Sequence, residues 1–160
     1  MTLKALIFVW FAVILETALY RALPGMGWVP YLSVAVIVFT ALRLGSGAGW
    51  LCGLMAGVLS SMLTELPWQG ILSLGLMGFL CGRLRAWVFL ESPFTSWLMP
   101  LAGLMLVEAT TVFWGLPDDG TPRIWLVLQR WQHSPLLATA IAAPFVRLAF
   151  DRMIGPPETQ

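Results

Sequence analysis

Residues 43–85 read RLGSGAGWLCGLMAGVLSSMLTELPWQGILSLGLMGFLCGRLR: two apolar runs with arginines at both outer ends, joined at Glu65-Leu66-Pro67-Trp68-Gln69-Gly70. Read as two transmembrane helices, the runs put Arg43, Arg83 and Arg85 on one side of a bilayer, as the positive-inside tendency prefers. Gly49, Gly53, Gly57 and Ser61 recur every four residues, so on a helix they form one smooth ridge that another helix can approach closely. In the second run Gly75, Gly78 and Gly82 give a further small-residue face, with Gly78 and Gly82 at the same spacing. Two such faces can pack against each other, or the ridge can receive a helix of a partner protein. The pattern alone leaves both open.

Composition extends the membrane reading to the whole chain. Of its 160 residues 59% are apolar and 11% charged, with a mean hydropathy of +0.83; soluble domains carry roughly a quarter charged residues. An all-α membrane protein follows, since inside hydrocarbon a helix satisfies its own backbone. The length fits one domain. A net charge of +1 lacks the concentrated basic face that nucleic-acid binding needs. Cys52 and Cys81 lie inside apolar runs among glycines, where small buried packing residues are expected rather than a disulfide or redox pair. Two cysteines without clustered histidines predict no metal site.

Six apolar segments can be traced, at about 5–20, 28–44, 47–64, 68–82, 94–116 and 134–150. The first is not a cleaved signal peptide, because it contains Glu16, ends in Arg21 without a small-x-small site and precedes further spans. Pro30 is expected in the first turn of the second span, and Pro144 predicts a kink in the sixth. The second and fourth segments are shorter than the roughly 20 residues of a perpendicular span, so flanking Trp and Arg anchors or local thinning are expected there. Residues 122–133 mix Trp125, Leu126 and Val127 with Gln129, Arg130 and His133, which predicts a helix lying at the interface. The domain is then residues 1–154, with 155–160 a short tail.

Alternating the six spans places Lys4, Arg43, Arg83, Arg85, Arg147 and Arg152 on the side of both termini, and Arg21, Arg123 and Arg130 on the other. That bias puts both termini in the cytoplasm. The opposite face carries Glu65 and the acidic turn Leu116-Pro117-Asp118-Asp119-Gly120-Thr121-Pro122.

Glu16 and Glu108 are the sharpest anomalies, because a carboxylate within a span is costly and faces the protein interior, a cavity or a partner. Glu16 is about one turn from Arg21, which predicts a place near the interface. Glu108, beside Thr110 and Thr111, lies deeper; a hydrogen bond to a neighbouring helix, a partner contact and a proton relay are its candidate roles. His133 is the only histidine and is expected to be solvated or at headgroup level. With no Gly-x-Ser-x-Gly elbow and no Gly-x-x-x-x-Gly-Lys loop, neither a serine nucleophile nor a phosphate cradle is predicted. The chain does not read as an enzyme, and no cofactor is expected.

The order Val29-Pro30-Tyr31-Leu32, Ala41-Leu42-Arg43-Leu44-Gly45, the run from Gly49 to Ser61, Pro67-Trp68-Gln69-Gly70 and Gly78-Phe79-Leu80-Cys81-Gly82-Arg83-Leu84-Arg85 resembles the rod shape-determining protein MreD family. Ser134-Pro135-Leu136-Leu137 and Ala143-Pro144 are similar to that family's last helix. The chain has Tyr31 where members often carry an Asp, and Ser60 or Ser61 where another Asp often falls. The resemblance implies a non-catalytic scaffold of the cell-wall elongation machinery in the bacterial inner membrane. Such a scaffold binds an MreC-like bitopic partner and through it acts with RodA and penicillin-binding protein 2. It also implies a six-helix fold similar to the substrate-binding subunits of energy-coupling-factor transporters. The alternative function is a membrane subunit that holds a vitamin or other small solute for transport.

Overall fold

An apolar run closed by a charge or a turn former can satisfy its backbone only within itself when no water is near, so each run becomes a helix. The computed structural model describes residues 2–23, 29–64, 68–87, 93–114 and 135–154. Among them are α1 (Thr2–Ala22), α2 (Leu32–Leu44), α3 (Ser46–Thr64), α4 (Trp68–Arg83), α5 (Pro93–Trp114) and α6 (Leu136–Ile154), with a 3-10 turn at Leu84–Trp87. The interfacial helix expected at 122–133, His133, Glu65, the acidic turn and the tail at 155–160 lie outside the described residues. The architecture is all-helical, and three helices are long and apolar enough to cross a membrane: α1 over Leu3–Ala22, α3 over Ser46–Leu63 and α5 over Trp97–Trp114. α2 and α4 are shorter apolar helices, and α6 carries Arg147, Asp151 and Arg152 near its end.

α2 is the hub. Every residue from Leu32 to Leu42 is buried, and the helix touches α1, α3, α4, α5 and α6. Its 13 residues span only about 20 Å at 1.5 Å each. Because its neighbours sheathe it, the short helix meets protein along its length. The anchoring or bilayer thinning expected from its length is therefore not required of α2. Pro30 does not enter the helix: Tyr31 stands at the N-cap with non-helical ψ 80°, because α1 and α6 take up the backbone donors of Tyr31 and Ser33 there. At the other end Gly45, at φ +93°, turns the chain straight from α2 into α3. Its N–H closes α2 on the Ala41 carbonyl at 2.9 Å, and only glycine takes this backbone without strain.

The exterior inverts the pattern of a soluble protein. Leu3, Ile7, Trp10, Phe11 and Ile14 on α1, Leu51, Met55, Val58 and Met62 on α3, and Leu137, Ile141, Phe145 and Leu148 on α6 are all exposed. Their three- and four-residue spacing makes a continuous outward stripe on each helix, the arrangement suited to a hydrocarbon solvent. The helix interiors are filled by Val9, Val13, Ile37, Leu42, Met77, Leu104 and Phe150, each almost wholly buried.

Among the described residues one buried side-chain polar atom lacks a partner. Thr40 on α2 is fully buried and its Oγ1 makes no hydrogen bond, although a helical threonine commonly donates to the carbonyl one turn back. Replacing it with valine keeps the shape and removes a desolvated hydroxyl. Thr40→Val is expected to raise stability by about 1 kcal/mol, read as a higher midpoint of thermal unfolding in detergent; an unchanged or lower midpoint would mean that Thr40 gains a partner in the membrane.

Candidate functional site

The most extensive helix contact is α3 against α4, and the glycines explain how it forms. A Cβ built on Gly53 would lie 2.7 Å from the Leu74 carbonyl carbon and 2.8 Å from the Gly75 Cα. One on Gly57 would lie 2.5 Å from the Ile71 Cα, and one on Gly78 would lie 2.6 Å from the Gly49 carbonyl carbon. Gly49 meets Gly78 and Ala41, while Gly82 meets Ser46, whose N would be 2.5 Å away. All five contacts are within the chain. Ser61 continues the ridge toward the end of α3, part-buried, with Ser60 buried beside it.

α2 is held by side chains at both ends. At its N-terminus the Glu16 carboxylate of α1 accepts the Ser33 backbone N–H at 3.0 Å and the Ser33 hydroxyl at 2.7 Å. Thr139 of α6 accepts the Tyr31 N–H at 3.0 Å. A helix begins with backbone donors that have no partner inside it, and a carboxylate there both accepts a hydrogen bond and faces the positive end of the macrodipole. Glu16 lies about one turn before Arg21 on α1, and its carboxylate is turned to α2. Arg21 instead donates to the Leu63 carbonyl at 3.3 Å, at the end of α3, because α2 presents better donors to the carboxylate.

At the opposite end Arg43 of α2 pairs with Asp151 of α6. Arg147, one turn earlier on α6, approaches the other Asp151 oxygen at 3.8 Å. The Arg43 guanidinium also lies 5.6 Å from the centre of the Phe150 ring, which packs edge-on against Phe8 of α1 at 5.8 Å. Cation, carboxylate and aromatic ring therefore join α1, α2 and α6 at this end. The Arg43 side chain is 11% exposed and that of Asp151 is 32% exposed, so the pair is shielded but not dry. Asp151→Ala is expected to cost about 2 kcal/mol, below the range for a fully buried pair. Arg147→Gln, which weakens the longer one-turn contact, is expected to cost about 0.5 kcal/mol. Unfolding midpoints of the two variants in one detergent check the order, and equal losses would contradict it.

A second polar group joins α4 and α5. Thr111 approaches the Ser73 hydroxyl at 3.4 Å and donates to the Val107 carbonyl at 2.7 Å; Ser73 is fully buried. Thr110 also turns back, to Leu106 at 2.9 Å. Glu108 is part-buried on the same helix. Cys52 and Cys81 are buried free thiols. Among the described residues no three His, Cys, Asp or Glu side chains come together to hold a metal ion.

Sequence reasoning singled out the glycines, Glu16 and Glu108, and missed Ser33, Thr139 and Asp151. Asp151 carried a local signal, a carboxylate four residues after Arg147 at the end of an apolar run. Ser33 and Thr139 carried none, since one small hydroxyl in an apolar helix looks alike whether or not it meets a carboxylate. Chemically, the arrangement clamps a central helix to two neighbours at both of its ends. Comparison with protein-family models, with characterised proteins and with solved structures finds no match.

Proposed function

We propose that this chain is a non-catalytic scaffold of the cell-wall elongation machinery in a bacterial inner membrane, similar in role to the MreD family. Support comes from the ordered series of short motifs from Val29 to Arg85 and again at Ser134 to Pro144, which resembles that family's order. A bundle whose centre is taken up by α2 suits a protein that presents outer helix faces to partners better than one that encloses a vitamin. In this proposal all six helices cross the membrane, both termini are cytoplasmic, and the fold is similar to that of energy-coupling-factor substrate-binding subunits. The partner is an MreC-like bitopic protein, through which the scaffold acts with RodA and penicillin-binding protein 2.

Affinity purification of the tagged chain from its native membranes in mild detergent tests the proposal. Recovery of a protein with one transmembrane helix and a periplasmic coiled coil is the expected result. Repeated purification without such a protein, from cells in which it is expressed, would sink the scaffold reading.

A further inference from the structure

Helix ends that meet in the bundle gather the basic residues. Arg43 and Asp151 bring the C-termini of α2 and α6 together, Phe8 and Phe150 bring the start of α1 to the same level, and Gly82 against Ser46 places the end of α4 there. Lys4, Arg43, Arg83, Arg85, Arg147 and Arg152 therefore share one end, and Arg21 lies at the other, beside Leu63. Arg43 and Arg147 converge on Asp151. Arg83 and Arg85 have no carboxylate partner among the described residues.

The surroundings of Arg83 are unusual for a water-facing corner. The Arg83 guanidinium lies 5.8 Å from the centre of the Phe79 ring. Trp87, on the 3-10 turn after α4, is 85% exposed, and Leu84 is 48% exposed. Phe79 and Leu80 are exposed one turn further into α4. Arg83 thus stands at the head of an apolar strip on the outer face of α4, and Arg85 and the exposed Trp87 follow on the 3-10 turn.

The geometry points to a seat for one anionic phospholipid at this corner, with its phosphodiester held by Arg83 and Arg85 and its acyl chain along Phe79 and Leu80. Arginine forks match phosphate oxygens, and tryptophan settles at the headgroup level beside them. An acidic peptide would satisfy the charge but would leave the apolar strip uncovered, which favours the lipid. The seat requires no protein partner and stands apart from the scaffold proposal.

Native mass spectrometry of the full chain, titrated in detergent with phosphatidylglycerol and with phosphatidylcholine, tests the seat. Wild type is expected to retain phosphatidylglycerol selectively, and Arg83→Gln with Arg85→Gln to lose about fivefold in affinity per arginine at low ionic strength. Arg21→Gln, at the opposite end, is expected to keep the selectivity. On wild type alone, added salt should weaken retention of phosphatidylglycerol and spare phosphatidylcholine, a readout that does not depend on any variant folding. Equal retention of the two lipids by wild type, or unchanged retention by the double variant, would overturn the proposal. So would a double variant that keeps phosphatidylglycerol but loses an acidic cytoplasmic protein on purification, which would assign the corner to that protein.

Discussion

Gly53→Leu is expected to prevent stable folding of the bundle, with a loss of about 3 kcal/mol or more. The obstacle is backbone, not a side chain that can swing away. The first added carbon would already lie 2.7 Å from the Leu74 carbonyl carbon and 2.8 Å from the Gly75 Cα, so α3 and α4 must separate along their whole contact. Separation undoes the neighbouring approaches of Gly49 to Gly78 and of Gly57 to Ile71, and cavities open where backbones had touched. Gly47→Ala is the matched control: it lies on the same helix, yet nothing stands within 4 Å of its added carbon. There alanine is expected to leave stability unchanged or raise it by about 0.5 kcal/mol through better helix propensity. Yield of monodisperse protein and the unfolding midpoint in one detergent measure both. A Gly53→Leu protein as stable as Gly47→Ala would show that the two helices are not held at this distance.

Small residues every fourth position are visible in a sequence because the helix that they line is local, so Gly49, Gly53, Gly57, Gly78 and Gly82 were legible as a packing surface. Which helix would meet the ridge was not. The same limit applies more strongly to the polar residues. Glu16 meets Ser33 across 17 residues of sequence and Tyr31 meets Thr139 across 108. No periodicity links them, and in an apolar bundle a carboxylate takes whichever donors the fold brings near it. For Glu16 the nearby Arg21 says nothing of Ser33, the donor that the carboxylate meets.

The central place of α2 was more legible than its length suggested. LSVAVIVFTALRL has no polar face, and a helix apolar all round is buried on all sides. Counting residues against bilayer thickness treated the segment as a span of insufficient length. Asking what could surround a helix with no polar side puts it inside the protein. The same logic accounts for the two clamps. A helix enclosed by others has no water for its terminal donors, so α1 and α6 supply Glu16 and Thr139 at its start, while at its end Asp151 pairs with the Arg43 side chain. In the proposed scaffold such clamps make α1, α2 and α6 one rigid unit between the two membrane faces.

Removal of the Glu16 carboxylate is the most direct probe of that unit. Glu16→Ala leaves the Ser33 N–H and hydroxyl, at the start of a helix buried from Leu32 to Leu42, without the acceptor that both now use. A hydrogen bond contributes about 0.5 to 1.5 kcal/mol, and an unsatisfied buried donor adds a desolvation cost of about 1 to 3 kcal/mol. Because one carboxylate oxygen serves both Ser33 donors, the losses overlap, and a total of about 3 kcal/mol is expected. Glu16→Gln keeps an acceptor oxygen in place for both Ser33 donors, so its cost should stay near about 1 kcal/mol. Ser33→Ala removes the hydroxyl and leaves the N–H bond intact, so combining it with Glu16→Ala should cost less than the sum of the two alone. Unfolding midpoints of wild type and the four variants, measured in one detergent, complete the cycle. Strict additivity, or a Glu16→Ala protein no weaker than Glu16→Gln, would mean that the carboxylate does not hold α2 and that the clamp at this end rests on Thr139 alone.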